Sequence, residues 1–386
     1  MKNNQNFYYG KHYIDSKDIN NVTKSLKSFL SQGPQLINFE KKVAKYFGSK
    51  YCVAVSSATA ALHISITAMN LKKNSKSYTS NMTFVATTNA CLYNNLKIDL
   101  IDINLDNFNI NLDQLEAKLE KLSPKEKKKK KLIIPVHFGG LSVDMKRIHD
   151  LKKKYNCYVL EDASQSMGAT FHKKYVGSCK FSDIAVFSLH PVKSITTGEG
   201  GLILTNNKKF YEKLLLLRSH GLEKSKKNHW QNNMLFLGYN YKITDFQCAL
   251  GISQLSKLKG FISKRNKIAV FYKEKLKSLN INFQNFDKSR YTNAYHYFII
   301  SFVKEVSNKK NILFLNLLKK KGIYLGKQYL PIHMHNFYKK KISNKFVNSE
   351  KYFKQSYQLP IYPSLSKRNL EYICDNIISA SKKLNM

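Results

Sequence analysis

Residues 53–62 read V-A-V-S-S-A-T-A-A-L, an apolar strand that enters a turn of small, hydroxylated residues and leaves it as a helix. In the turn, Ser56, Ser57, Ala58 and Thr59 are small enough for backbone N–H groups to close on an anion at the helix N-terminus. Their hydroxyls add donors. The same residues also suit an ordinary helix cap, and neither a G-x-G-x-x-G nor a Walker A loop is present. The repetition of the pattern carries further. Short apolar runs at 51–55, 98–103, 132–136, 158–161, 184–188 and 201–205 alternate with helical segments. Such alternation predicts an α/β fold whose sheet is covered on both faces.

On either side of this region the periodicity is helical. From Asp15 onward Ile19, Val22, Leu26 and Phe29 recur at helical spacing, up to a Gln32-Gly33-Pro34 turn. A second helix with Phe39, Val43 and Phe47 stops at Gly48. At 244–247, T-D-F-Q fits a capping box with Thr244 as N-cap and Gln247 three residues on, opening a helix toward Gly260. A boundary there divides the chain into a large domain, residues 1–258, and a smaller C-terminal α/β domain, residues 259–386. In the smaller domain the pattern predicts helices at 261–276 and 311–321, a strand at 295–303, and a terminal helix from Ser366.

The 386 residues carry a net charge of +40, from 65 Lys+Arg against 25 Asp+Glu, and only five of the cations are Arg. A nucleic-acid reader relies on Arg forks and clustered cations, whereas these lysines are spread along the whole chain. Nucleic acid is therefore not an expected partner, and the positive field favours an anionic substrate. The run Lys127 to Lys131 is expected on a solvated loop. Six cysteines, Cys52, Cys91, Cys157, Cys179, Cys248 and Cys374, show no C-x-x-C spacing and too little density for a disulfide scaffold. No metal site is expected. Met1 to Asp18 is polar, and no stretch approaches the ~20 apolar residues of a membrane span. The expectation is a soluble, cytoplasmic protein with reduced thiols.

Chemistry concentrates in S-L-H-P-V-K-S-I-T-T-G-E-G-G, residues 188–201, between two expected strands. A lysine held in a loop at a strand end is suited to forming a Schiff base, because partial burial and nearby cations lower its pKa from ~10.4 and free the amine. Lys193 is that lysine. Upstream, Leu160-Glu161-Asp162 closes a strand, so Asp162 falls at the carboxyl edge, where open α/β sheets bind ligands. A carboxylate there can pair with a protonated pyridine nitrogen. Gln165 could then hydrogen-bond a cofactor's phenolic oxygen, and Phe84 could stack on an aromatic cofactor, although most Phe in such a place are simply core.

These residues, with Q-G-P (32–34), S-S-A-T-A-A-L (56–62), T-F-V-A-T (83–87), P-V-H-F-G-G (135–140), E-D-A-S-Q-S-M-G-A (161–169), R-S-H-G (218–221) and L-G-Y-N-Y-K-I-T-D-F-Q-C-A-L-G (237–251), carry a resemblance. The chain resembles the DegT/DnrJ/EryC1 sugar aminotransferases from about Tyr8 to Tyr338. The resemblance implies the aspartate-aminotransferase-like, fold type I architecture of pyridoxal-phosphate enzymes, with a large mixed-sheet domain and a smaller C-terminal one. It implies pyridoxal 5'-phosphate as cofactor, Lys193 as the Schiff-base lysine, Asp162 at the pyridine nitrogen, and Ser188, Ala58 and Thr59 at the phosphate. Asn240 matches a position that reaches into a neighbouring subunit's site, implying a homodimer with shared sites. Tyr9, Phe29, Leu30, Tyr329 and His333 are implied near a nucleotide sugar. The T-S-N-M-T-F-V-A-T-T-N-A (79–90) and H-P-V-K-S-I-T-T-G-E-G-G (190–201) segments look most like the branch that aminates C4 of UDP-linked 4-keto-6-deoxy sugars in pseudaminic-acid biosynthesis, with L-glutamate as donor. In a dehydratase sister group His replaces the lysine; here the aligned residue is Lys193, and His190 lies three residues earlier.

Overall fold

The computed structural model describes residues 6–225, 228, 230–340, 342 and 344–386. Its centre is a seven-stranded sheet made of β1 (Tyr51–Val55), β2 (Lys76–Ser80), β3 (Lys97–Ile101), β4 (Lys131–Ile134), β5 (Cys157–Asp162), β6 (Ile184–Ser188) and β7 (Gly201–Thr205), in the order β1-β7-β6-β5-β4-β2-β3. All pairs are parallel except those of β7, which runs antiparallel to both β1 and β6. Alternate side chains go to opposite faces. Ala54, Leu202 and Leu204 meet Phe39, Val43, Leu255 and Leu258 on one side, and Val53, Val55 and Ile203 meet Leu62 and Ile66 on the other. The sheet is thus buried on both faces, as the continuous apolar runs require.

Of the helices on these faces, α1 spans Ser16–Leu26, α2 Pro34–Phe47, α3 Ala58–Ala68 and α4 Val85–Tyr93. The T-D-F-Q box opens α5 (Asp245–Lys275), with the Gln247 side chain accepting from the Thr244 N–H at 3.1 Å. Asp245 also caps α2, accepting from the N–H groups of Gly33 and Leu36 at 3.0 Å each, so the Q-G-P turn is tied to α5 by charge-assisted hydrogen bonds. The helix expected to end at Gly260 instead continues to Lys275, and the expected boundary at 258/259 lies inside it. A single helical glycine costs only about 1 kcal/mol, which the packing of Leu258 and Phe261 offsets.

Beyond α5 a three-stranded antiparallel sheet, β8 (Ile281–Phe283), β9 (Phe298–Phe302) and β10 (Ser356–Leu359), packs with α6 (Asn308–Lys319) and α7 (Lys367–Lys383) around a separate apolar core. Phe7–Tyr8 pairs in parallel with Ile323–Tyr324, so the N-terminal segment belongs to this part of the molecule.

Three further readings are corrected. β2 was not anticipated, because K-S-Y-T-S looks polar; its buried hydroxyls are satisfied by carbonyls, Ser77 by Lys97 at 3.0 Å and Thr79 by Ile134 at 2.9 Å. The lysine run is not simply a solvated loop. Pro124–Lys128 is a short helix, and buried Lys131 donates to the carbonyls of Glu126, Lys127 and Lys129, satisfying its C-terminal end. In α1, Ile19 and Leu26 are exposed, and the helix docks on α5 through Asp18, which accepts from Gln254 and Lys257 at 2.8 and 2.7 Å. All six cysteines are free and buried. Among the described residues no helix is long and apolar enough to cross a membrane.

Candidate active site

β1, β5 and β6 run in one direction, so Val55, Asp162 and Ser188 end at the same edge of the sheet, and β7 begins there at Gly201. α3 starts immediately after β1, capped by Ser57, whose hydroxyl accepts from the Ala60 N–H at 3.1 Å. A Cβ on Gly201 would stand 2.3 Å from the Ser57 carbonyl oxygen and 2.8 Å from the Ala58 nitrogen, so glycine is required for β7 to pass under this turn.

Above the edge lies a cavity of about 470 Å³ lined by Ser57, Ala58, Thr59, Phe84, Asp162, Gln165, Ser188, Lys193, Tyr9 and Tyr329, among others. Residues scattered over 320 positions thus face one space. Asp162 is buried; its two oxygens accept from the Thr87 hydroxyl at 2.6 Å and the Ser164 N–H at 3.2 Å. Gln165 accepts from the Gly139 N–H at 2.8 Å, which fixes its amide beside Tyr329. Lys193 follows β6, its own N–H bonded to the His190 carbonyl at 2.9 Å. Burial pulls its amine down to about 8, partly opposed by the Asp162 carboxylate. Such an amine is part neutral at physiological pH and able to act as nucleophile or base. Burial raises the Tyr9, Tyr297 and Tyr329 phenols, so these groups are hydrogen-bond donors and not phenolates.

The cavity does not gather every expected residue. Phe29 and Leu30 are 63% and 56% exposed, and Asn240 is also exposed; all three lie outside the cavity. His333 is also outside it, bonded to Asn81 at 2.9 Å and Glu350 at 3.2 Å. Phe84 lines the cavity but is half exposed and tilted 50° to the Tyr329 ring. Thr87, Tyr297 and His296 escaped the reading of the sequence. Thr87 lies four residues after Thr83, with their hydroxyls 2.8 Å apart, an i,i+4 relation legible once α4 is known. Tyr297 and His296 come from beyond the expected boundary and give no local motif.

An open α/β sheet with a lysine and a carboxylate at its carboxyl edge, facing a capped helix N-terminus, defines a fold type I pyridoxal-phosphate enzyme. Residues 12–378 match the DegT/DnrJ/EryC1/StrS aminotransferase family, and the chain belongs to it. A Campylobacter jejuni protein named UDP-4-amino-4,6-dideoxy-N-acetyl-beta-L-altrosamine transaminase is 37% identical over 382 residues, 97% of this chain and 98% of its own. Helicobacter pylori PseC, an aminotransferase involved in the biosynthesis of pseudoaminic acid, superposes with a TM-score of 0.89 at 27% identity over 98% of this chain and all of its own. A sugar aminotransferase fold from Streptococcus pneumoniae, Spr1654, gives 0.90 at 22% identity over 99% and 100% of the two chains.

The protein is accordingly an aminotransferase, and its cofactor is pyridoxal 5'-phosphate. The residues fit that group. The cavity combines a lysine amine of lowered basicity, a carboxylate immobilised by two donors, and hydroxyls at a helix N-terminus, the set that an aldehyde, a pyridine nitrogen and a phosphate need.

Proposed function

We propose that the protein transfers the amino group of L-glutamate to C4 of a nucleotide-activated 4-keto-6-deoxy sugar, UDP-2-acetamido-2,6-dideoxy-β-L-arabino-hex-4-ulose, supplying a cytoplasmic route to pseudaminic-acid-type glycans. The observation that carries the reaction is one cavity holding both the Lys193 amine and the Thr87-anchored Asp162 carboxylate. The choice of sugar is supported by the near full-length likeness to the Campylobacter transaminase and to PseC.

In this reading Lys193 would hold the cofactor at its aldehyde, and its amine is the base that would move the substrate proton. Pyridoxal phosphate would supply an electron-withdrawing ring that takes up the charge left when that proton is removed. Asp162 would pair with the pyridine nitrogen and favour its protonated form, needing no rearrangement because Thr87 and Ser164 already hold the carboxylate. Thr59, Ala58 and Ser188 would hold the phosphate at the start of α3. Gln165 would donate to the phenolic oxygen, Phe84 would stack beside the ring, and Tyr9 and Tyr329 would face the sugar nucleotide; His333, outside the cavity, is bonded to Asn81 and Glu350. Incubation with glutamate and a panel of UDP- and TDP-linked 3-keto and 4-keto sugars, read by mass spectrometry, is expected to convert the UDP 4-keto N-acetyl sugar fastest. Preference for a 3-keto or TDP-linked sugar would redirect the assignment within the family.

The exposed positions make sense in a homodimer. Ile19, Leu26, Phe29, Leu30, Ile37 and Leu237 are each more than half exposed, and a subunit interface would take such apolar side chains out of water. We place Asn240, Phe29 and Leu30 of each subunit at the other's cavity. Lys193→Ala and Asn240→Ala, each nearly inactive, are then expected to complement when unfolded together and refolded. Half of the dimers are mixed and each mixed dimer has one intact site, so activity returns to about a quarter of wild type. If both residues served one chain's own site, no activity would return.

A further inference from the structure

Behind the cavity, where β9 approaches the Lys193 loop, stands a histidine that the cofactor assignments leave without a task. His296 is 2% exposed, and its Nε2 lies 3.4 Å from Nζ of Lys193, the only hydrogen-bond partner of that amine among the described residues. Its other nitrogen, Nδ1, is buried with no partner, although buried polar atoms are normally satisfied. Buried Arg265 stands nearby, bonded to the carbonyls of Tyr295 and Ile361 at 3.0 and 2.7 Å and facing no carboxylate among the described residues. Burial, with the charges of Lys193, Arg265 and His190, pushes the imidazole well below its usual pKa. His296 is therefore neutral and a poor proton acceptor; as a neutral ring it can still accept or donate one hydrogen bond at Nε2.

We propose that His296 is a positioning residue that holds the Lys193 amine by a hydrogen bond whenever that amine is not bonded to the cofactor. This rests on Lys193 being the cofactor-bonding lysine. Accepting from the ammonium form favours it, so the bond raises the proton affinity of Lys193 against the effect of burial. The Asp162 carboxylate acts in the same direction.

The test uses the full-length enzyme in its pyridoxamine-phosphate form, in which the lysine is free. Acetic anhydride labelling of the Lys193 peptide is followed by mass spectrometry across pH. Wild type is expected to titrate near 8. In His296→Gln the amide reaches the place of Nε2, and the midpoint stays within half a unit. In His296→Asn the shorter amide falls short of Nζ, and the midpoint drops by about one unit, a tenfold loss of proton affinity. kcat falls with it, while KM for glutamate moves little. Equal midpoints in Asn and Gln variants, or an upward shift in Asn, would overturn the proposal. Borohydride reduction and peptide mapping of the wild-type pyridoxal form checks the underlying reading separately, since cofactor on another lysine refutes that reading and not the labelling result.

Discussion

Lys193→Ala is expected to abolish turnover while leaving the fold intact. On the proposed assignment two functions go together, the covalent hold on the cofactor and the base that moves the substrate proton, and the second alone is worth roughly 10²–10⁴-fold. We expect a loss of at least about 10³-fold. Stability should not suffer. The amine makes a single long hydrogen bond, to His296, and its burial disfavours the charge it would carry, so its removal relieves a desolvated group rather than opening a packed core. Thermal melting of the cofactor-free variant is expected at or above the wild-type temperature. Borohydride treatment should leave no cofactor fixed to the chain. Turnover within tenfold of wild type would remove Lys193 from the reaction.

How much of this was legible before the fold was known depended on where each signal resides. The strand–turn–helix at 53–62, the loop around Lys193 and the strand end at Asp162 are local: residue type and position relative to one strand suffice, and all three meet at the cavity. The capping box at Thr244 is equally local and opens α5 where expected. β2 was hidden because its buried hydroxyls find carbonyl partners on β3 and β4, which only strand order reveals. Gly260 misled because a single glycine does not end a helix whose adjoining turns are packed: Gly260 itself is exposed, while Leu258 and Phe261 on either side belong to the core. The spacing of Ile19, Val22, Leu26 and Phe29 marked α1 as a helix, yet Ile19 and Leu26 are exposed and the buried contact is Asp18. Periodicity reports which residues share a face, not what covers it. His296 and Tyr297 lie 103 and 104 positions from Lys193, and His296 shares no motif with it, so their place at the site follows only from how β9 packs beside the large sheet.

The same logic gives a sharp expectation for Asp162→Asn. The carboxylate accepts from the Ser164 N–H, which cannot reverse, and from the Thr87 hydroxyl, which can. An amide in its place can set its oxygen against Ser164 and its NH2 against Thr87, whose proton then turns toward the Thr83 oxygen 2.8 Å away. Geometry and burial survive, so folding and cofactor binding should persist. What is lost is the negative charge that, on the proposed assignment, faces the pyridine nitrogen. A neutral amide no longer favours the protonated ring, and the ring's capacity to take up charge falls just where the transition state needs it. Removing a preorganised electrostatic group of this kind costs about 3 kcal/mol, or on the order of 100-fold in rate. Because the loss belongs to the transition state, kcat and kcat/KM should fall together with little change in KM. The control is Thr87→Val, which keeps the charge but removes one of its two anchors. It is expected to lose activity by a smaller factor, about tenfold, in line with a single hydrogen bond to a charged group. Single-turnover measurement of the glutamate half-reaction separates the two. If Asp162→Asn proceeds at the wild-type rate, the carboxylate does not face the pyridine nitrogen, and the orientation of the cofactor across this cavity has to be reassigned.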